Sequence, residues 1–388
     1  MNRYSIIEQI LLIVLIANAT CLTAEASDIK FRTIHSGHGL SNNQVNAIHK
    51  DSQGYMWFGT ASGLNRYDGY NIKTYHSSFQ DSTKLHDNYI QEIQEDSEGN
   101  LWIYAGEHYS LFNPRTETFS YLTDAKQHEL GLPANPNRIK TCGNDLWIAV
   151  RDNGLFKLDS LKILHHILKA PIDGKDITDI IPLKERNRVI AVTDKGGLYL
   201  LNYTDGSIIN THRSPRRPHS FEEYSLFLDN NDRIWVYSIL GINIFDLNAD
   251  KWIDSRFAIT LKNKPVKAIN QDGEGQIWVG YDNEGLEVID SNGVSQCIVN
   301  NSTDIYSLGN NSIRTIYRDN NNGMWVGTNK KGISVYYPCE YKFESTSFAD
   351  VNCISQAYKD TEHVWIGTDK DGLLKYNYRH KRIVNSIY

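Results

Sequence analysis

One pattern recurs along this chain and constrains its fold more than any other feature. It reads Asp-x-x-Gly-x-x-Trp, an apolar residue, Gly-Thr, and first stands complete at Asp51 to Thr60. Trp57, Trp102, Trp147, Trp235, Trp278, Trp325 and Trp365 occupy its aromatic position, and Val189 fills that place in a worn copy. From Trp57 to Trp365 seven steps span 308 residues, a mean of 44 per repeat. A period of about 40–50 residues built from short strands and turns is the signature of a β-propeller, whose blades hold four strands each. The fold class is therefore all-β, and the tryptophans are read as packing between blades.

One repeat shows the strand logic. Val45–His49 alternates as an inner strand, and Asp51–Gly54 makes a turn in which Asp caps and Gly supplies a positive φ. Tyr55–Thr60 is the second strand, Leu64–Asp68 the third, and Asn71–Tyr75 a short outer strand. Asp stands six residues before the aromatic position at Asp51, Asp96, Asp229, Asp272 and Asp319. One such carboxylate per blade, spread around a ring, cannot converge on a single ion, so these are read as turn residues rather than calcium ligands. No metal and no cofactor is expected.

The repeat count bears on domain organisation. Lys30–Ile34 precedes the inner strand at Val45, and Lys342–Thr346 precedes a similar strand at Val351. On this reading residues 28–338 form a seven-bladed propeller, closed by an N-terminal strand around Phe31 that completes the last blade. Closure of this kind removes exposed sheet edges. Residues 340–388 are then one blade of an incomplete second propeller. A single eight-bladed ring is the alternative.

The first 26 residues read as a signal peptide: Arg3, the apolar run Ile10–Ala17, and an Ala24-Glu25-Ala26 cleavage site. That run is shorter than the roughly 20 residues a membrane span needs. The chain is accordingly expected in the periplasm, without membrane contact once the signal is removed. Cys142, Cys297, Cys339 and Cys353 fit no zinc spacing and are read as small buried hydrophobes, with a Cys339–Cys353 bridge as the lesser alternative. A net charge of −6 excludes a general nucleic-acid binder, which needs a basic face.

At Gly39–Val45, Asp51–Thr60 and Gly63–Gly69 the chain resembles the two-component regulator propeller repeats. Trp278-Val279-Gly280, Trp325–Thr328 and Trp365–Thr368 carry the same hallmark. The resemblance runs from residue 28 onward and is weakest in the fourth copy. It implies the extracytoplasmic region of a Bacteroides-type hybrid two-component sensor, many of which sense glycans or their breakdown products. Such sensors follow two propellers with a small β-sandwich, a membrane helix and a histidine kinase. Against that layout the chain is expected to be a fragment or a truncated product, with any homodimer formed through the full-length sensor. A secreted propeller acting as a stand-alone glycan- or protein-binding module is the alternative.

Nothing in the sequence argues for catalysis. There is no Gly-x-Ser-x-Gly elbow, no His-Glu-x-x-His and no phosphate-binding Gly-rich loop. His165-His166 lies in an alternating stretch and is read as outer-strand surface. The chain is therefore read as non-enzymatic. The basic segment Arg213–His219 is read as a solvated connector loop, with the alternative that its guanidinium groups face an acidic ligand, since they pair oxyanions in two-pronged fashion. Loops entering inner strands share a face with the turns joining second to third strands. That face is expected to gather Tyr89, Arg138 and Arg217 from one loop set, and His108, Arg151, Tyr281 and Lys331 from the other. Aromatic faces beside planar polar groups are what an oligosaccharide or other small ligand requires.

Overall fold

The computed structural model describes residues 29–78, 80–81, 83–122, 124–169, 176–215, 223–253, 264–338, 351–356, 360, 362–380 and 382–387. The signal-peptide segment, Arg217 and Cys339 lie outside these residues. The chain divides into two compact units, Met1–Pro338 and Cys339–Tyr388.

The larger unit holds seven four-stranded antiparallel sheets among its described residues. In six of them consecutive strands pair in order. Their inner strands are Val45–Lys50, Ile90–Glu95, Pro136–Cys142, Ile177–Leu183, Ser225–Leu228 and Val266–Gln271. The seventh begins at Ile313–Arg318 and takes its outermost strand, Arg32–Ile34, from the other end of the chain. Arg32, Thr33 and Ile34 pair with Val335, Ser334 and Ile333. Beside that strand Phe31 is fully buried, its ring 6.4 Å from Trp278 in an edge contact. Each sheet packs on the next, and the first also packs on the seventh.

The repeated residues explain how one sheet seats on another. An Asp51 oxygen accepts the turn N–H groups of Gln53 and Tyr55 at 3.0 and 2.8 Å, and the other accepts the Trp57 indole N–H at 2.7 Å. Asp229, Asp272 and Asp319 hold Trp235, Trp278 and Trp325 in the same way, each at 2.9 Å. The carboxylate thus satisfies a turn and a buried indole together, which is why Asp stands at that spacing. The motif glycine serves a different need. A Cβ on Gly59 would lie 2.5 Å from Ile90 Cγ2, and one on Gly280 would lie 2.5 Å from Ile313 Cγ2. At Gly327 it would meet the Val45 carbonyl at 2.8 Å, so the seventh sheet seats on the first as the first seats on the second.

A third element ties the loop face. The carbonyls of Asn43, Asn88 and Asn311 accept N–H bonds from Gly332, Gly63 and Gly285 of the preceding sheet, at 2.9, 2.7 and 2.8 Å. Their side-chain oxygens accept the N–H groups of Ser36, Ser77 and Asn300 in their own loops. Backbone groups that a loop would otherwise leave unpaired are therefore used to join neighbouring sheets.

The smaller unit is one four-stranded sheet, Val351–Ser355, His363–Thr368, Leu373–Asn377 and Arg382–Ile387. Ile366, Leu374 and Tyr376 form its core. The cysteines depart from expectation. Cys142 is half-buried and packs against the core between the third and fourth sheets, while Cys297 and Cys353 are exposed on strands and are not core hydrophobes. His165 and His166 are exposed on the outer strand Leu164–Leu168. Among the described residues no helix is long and apolar enough to cross a membrane.

Candidate functional site

The seven sheets are not equivalent at their inner edge. Near the start of six inner strands the register slips by one residue, and the residue after the slip faces the motif-glycine position of the second strand; in the fourth sheet that position is Val192, because Ile190 and not Val189 stands in the tryptophan's place. In the sixth, seventh and first sheets this pair is small: Ala268 with Gly280, Thr315 with Gly327, and Ala47 with Gly59. In the second, third and fourth it becomes Glu92 with Tyr104, Arg138 with Ala149, and Asp179 with Val192. The fifth sheet places Ser225 opposite Tyr237. One arc of the ring follows the repeat; the other replaces it with charged groups and tyrosines at the same height.

The charged groups form a network across three sheets. Arg138 Nη1 lies 3.1 Å from Glu92 Oε2, and Lys140 Nζ lies 2.7 Å from Glu92 Oε1 and 3.4 Å from Asp179 Oδ1. Arg138 Nε donates to the Thr178 carbonyl at 2.8 Å, while Asp179 Oδ2 accepts the Leu226 N–H at 2.9 Å. Tyr109 donates to Glu92 at 3.0 Å and accepts the Ile139 N–H at 3.0 Å. The side chains are only 14% (Glu92), 18% (Arg138), 24% (Lys140) and 8% (Asp179) exposed, so each charge needs its partners. Burial pushes the Glu92 carboxyl up, but Lys140 and Arg138 overcome it and hold the group at about 2. The same acids keep Arg138 and Lys140 above their ordinary values against the opposing effect of burial.

Tyrosines line the loop side of this network. Tyr104 packs on Tyr109 with ring centroids 4.7 Å apart. Burial raises the Tyr104 phenol, opposed by the nearby guanidinium groups of Arg138 and Arg151. Tyr237 is also raised by burial, with the Asp179 charge adding to the effect. Arg138 is oriented by its Nε bond to the Thr178 carbonyl and its Nη1 contact with Glu92. Aromatic faces, phenol hydroxyls and an oriented guanidinium edge can hold a polar ring compound by stacking and hydrogen bonds.

The residues singled out in the sequence fare differently. Arg138 sits at the centre of this network, and Arg151 stands nearby with Nε 3.5 Å from Asp176 Oδ2. Tyr89 is exposed between the first and second sheets, its hydroxyl 3.4 Å from Gln44 Nε2. His108 packs beside His86 at 4.9 Å on the same side of the ring. Lys331 is exposed in a turn of the seventh sheet, away from the charged arc. Tyr281 is 1% exposed and donates to Glu287 at 2.7 Å, so it belongs to the core of the sixth sheet and not to a loop surface. It takes the place of the motif threonine, Thr60 or Thr328, whose side chain is likewise fully buried. Glu92, Tyr104, Lys140, Asp179 and Tyr237 were not anticipated from the sequence. The signal that reveals Glu92, Tyr104, Asp179 and Tyr237 is their alignment with Ala47, Gly59 and their repeats; Lys140 takes the register place of His49. Among the described residues no group of three or more His, Cys, Asp or Glu side chains is placed to hold a metal.

Comparison with known proteins places this geometry. Residues 39–62 and 307–330 match the two component regulator propeller family. These segments hold the Asn-bearing loops, the Asp turns and the tryptophans of the first and seventh sheets. A 67-residue stretch is 37% identical to Histidine kinase P4 of Formosa agariphila, covering 17% of this chain and 5% of that protein. The fold is similar to the extracellular domain of the hybrid two component system BT3049 from B. thetaiotaomicron. The TM-score is 0.65 at 22% identity, over 92% of this chain and 49% of the other. The extracellular domain of BT4673 from B. thetaiotaomicron gives 0.62 at 22% identity, over 92% and 48%. The WD40 β-propeller domain of Doa1 gives 0.58 at 11% identity, over 82% and 100%. This chain spans about half the length of the extracellular domains it matches. The chain thus carries two-component regulator propeller repeats in its first and seventh sheets, on a fold similar to these extracellular sensor domains.

Proposed function

We propose that this chain is the ligand-sensing part of a periplasmic sensor in a hybrid two-component system, and that its ligand is an oligosaccharide. Residues 28–338 serve as a seven-bladed propeller and residues 340–388 as the first blade of a second. The observation that carries this reading is the inner-edge substitution in the second to fifth sheets. Charged groups and tyrosines stand there where the packing of the other sheets uses Ala, Thr and Gly. Buried ion pairs seldom add stability over apolar packing, so a network of this size at one end of a ring is better explained by recognition. A sugar ring would stack on Tyr104 and Tyr237 and take hydrogen bonds from Arg138. Output would come from small changes in how the second, third and fourth sheets pack, since the network joins all three.

The test is a thermal-shift screen of the purified chain against neutral and acidic oligosaccharides. A ligand at about 100 times its Kd stabilises by about 2.7 kcal/mol, which is readily measured. Tyr104→Ala should abolish the shift when it is read against the variant's own ligand-free melting temperature, which loss of the Tyr109 contact lowers. No shift with any oligosaccharide counts against the reading.

A further inference from the structure

A second site emerges from comparing two loops built alike. Residues 76–89 and 299–312 both cross the outer strand of the sheet they lead into. The Thr83 carbonyl accepts the Phe119 N–H at 3.0 Å, and the Tyr306 carbonyl accepts the Phe31 N–H at 2.8 Å. Both loops end in the Asn clasp described above, so the backbone requirement is the same. The side chains beneath them differ. In register, Tyr75 corresponds to Ile298, Lys73 to Gln296 and Arg66 to Val288, while Lys84 and Ser307 each precede the buried leucines Leu85 and Leu308. Three cations and an aromatic ring therefore stand where the sister copy shows the fold needs none of them.

These residues enclose a cleft of about 380 Å³ between the outer strands of the first and second sheets, lined by Lys73, Thr74, Tyr75, His76, Lys84 and Glu117 among others. Glu117 holds part of it in place. Its carboxylate lies 2.5 Å from Lys73 Nζ and 3.5 Å from Arg66 Nη1, and accepts the Tyr75 hydroxyl at 3.1 Å. It does so from a left-handed backbone conformation, φ 55°, which a non-glycine residue rarely adopts. Glu117 faces Lys73 and Arg66, while Lys84 stands near Asp81, whose carboxyl is held below its ordinary value by hydrogen bonds from Thr83 and, to a lesser extent, by Lys84, so three cations meet two carboxylates. The uncompensated charge is positive, and the hydroxyl of Thr74 and the ring of Tyr75 add polar and stacking surface.

We infer that this cleft is a ligand site, separate from the inner edge, for a sugar-sized molecule bearing a carboxylate or a sulfate ester. Lys84 supplies an ammonium that no direct ion pair holds among the described residues; Lys73 and Arg66 supply charge already oriented by Glu117. The site does not depend on the oligosaccharide reading of the inner edge, because no residue is shared.

The experiment is titration calorimetry of the whole chain at low ionic strength with D-glucuronate, D-glucose 6-sulfate and D-glucose. The anions are expected to bind saturably and glucose not. Lys84→Gln should weaken anion binding at least tenfold without changing the melting temperature, since that side chain holds nothing in the fold. Glu117→Gln should strengthen it severalfold by removing the internal competitor, an increase that a purely structural role would not produce. The difference between the two anions reports which acidic group is preferred. Absence of saturable binding by both anions, equal binding of glucose, or affinity unchanged in Lys84→Gln overturns the inference.

Discussion

Substituting Gly332 with alanine tests ring closure at one atom. Gly332 has φ +76°, and a Cβ there would lie 2.0 Å from the Ile34 carbonyl oxygen and 3.0 Å from His35 Cα. Those atoms belong to the N-terminal strand that completes the seventh sheet, so the strand must move or detach. The left-handed backbone costs alanine about 1–2 kcal/mol. Releasing the strand also exposes Phe31, which is fully buried, and separates it from Trp278. Burial of such a ring contributes about 1.5–3 kcal/mol, and the edge contact a further 0.5–1.5. The total is about 3–6 kcal/mol. At roughly 2 °C per kcal/mol for a unit of this size, the melting temperature should fall by roughly 6–12 °C. Gly54→Ala is the matched control: φ is +95°, yet nothing lies within 4 Å of its Cβ. It should lose only the backbone term, roughly 2–4 °C. Circular-dichroism melts of both variants, with limited proteolysis near residue 35, measure the difference. Equal shifts for the two, or an intact N-terminal strand in Gly332→Ala, would refute the clasp.

Three further outcomes follow from the same geometry. Gly59→Ala should cost about 1–3 kcal/mol through overpacking against Ile90, and Ile90→Ala introduced with it should recover part of that loss in urea denaturation. Glu92 has a folded-state value of about 2 against an ordinary 4.5, so its contribution is complete above pH 4.5 and lost as pH falls toward 2. That contribution is about 3 kcal/mol, and Glu92→Gln should flatten the stability profile in that window. Asp319 is raised by burial but held below its ordinary value by hydrogen bonds from Tyr337, Trp325 and the turn. Asp319→Ala leaves the buried Trp325 indole unpaired and should cost about 1–3 kcal/mol in a neutral-pH melt, with a smaller penalty at acid pH.

The parts of this structure that were legible in the sequence are those set by local chemistry. Asp51 and Trp57 are six residues apart because one carboxylate must reach both its own turn and the indole, and of the five copies with that spacing four make the bond. Strand boundaries followed for the same reason, the inner strand at Val45 and the second strand ending at Thr60 lying close to where alternation placed them. The inner-edge network was not legible residue by residue. Glu92, Arg138 and Asp179 are more than 40 positions apart, and on their strands each looks like an ordinary polar residue. Only the ring brings them within 4 Å of shared partners. Tyr281 misled for a related reason: an aromatic residue next to a turn reads as surface, but in register it replaces a threonine whose side chain points inward. In both cases aligning the repeats, instead of reading each loop alone, carries the missing information.

The central claim is that ligand binds the loop end of the inner edge in the second to fifth sheets. Hydrogen–deuterium exchange of the chain with and without a saturating oligosaccharide tests it most directly. The account predicts slowed exchange at residues 102–109, 136–140, 177–180, 225–228 and 236–238, with little change around the turns that precede the tryptophans. Slowed exchange confined to the sixth, seventh and first sheets, or none anywhere despite measured binding, would contradict it.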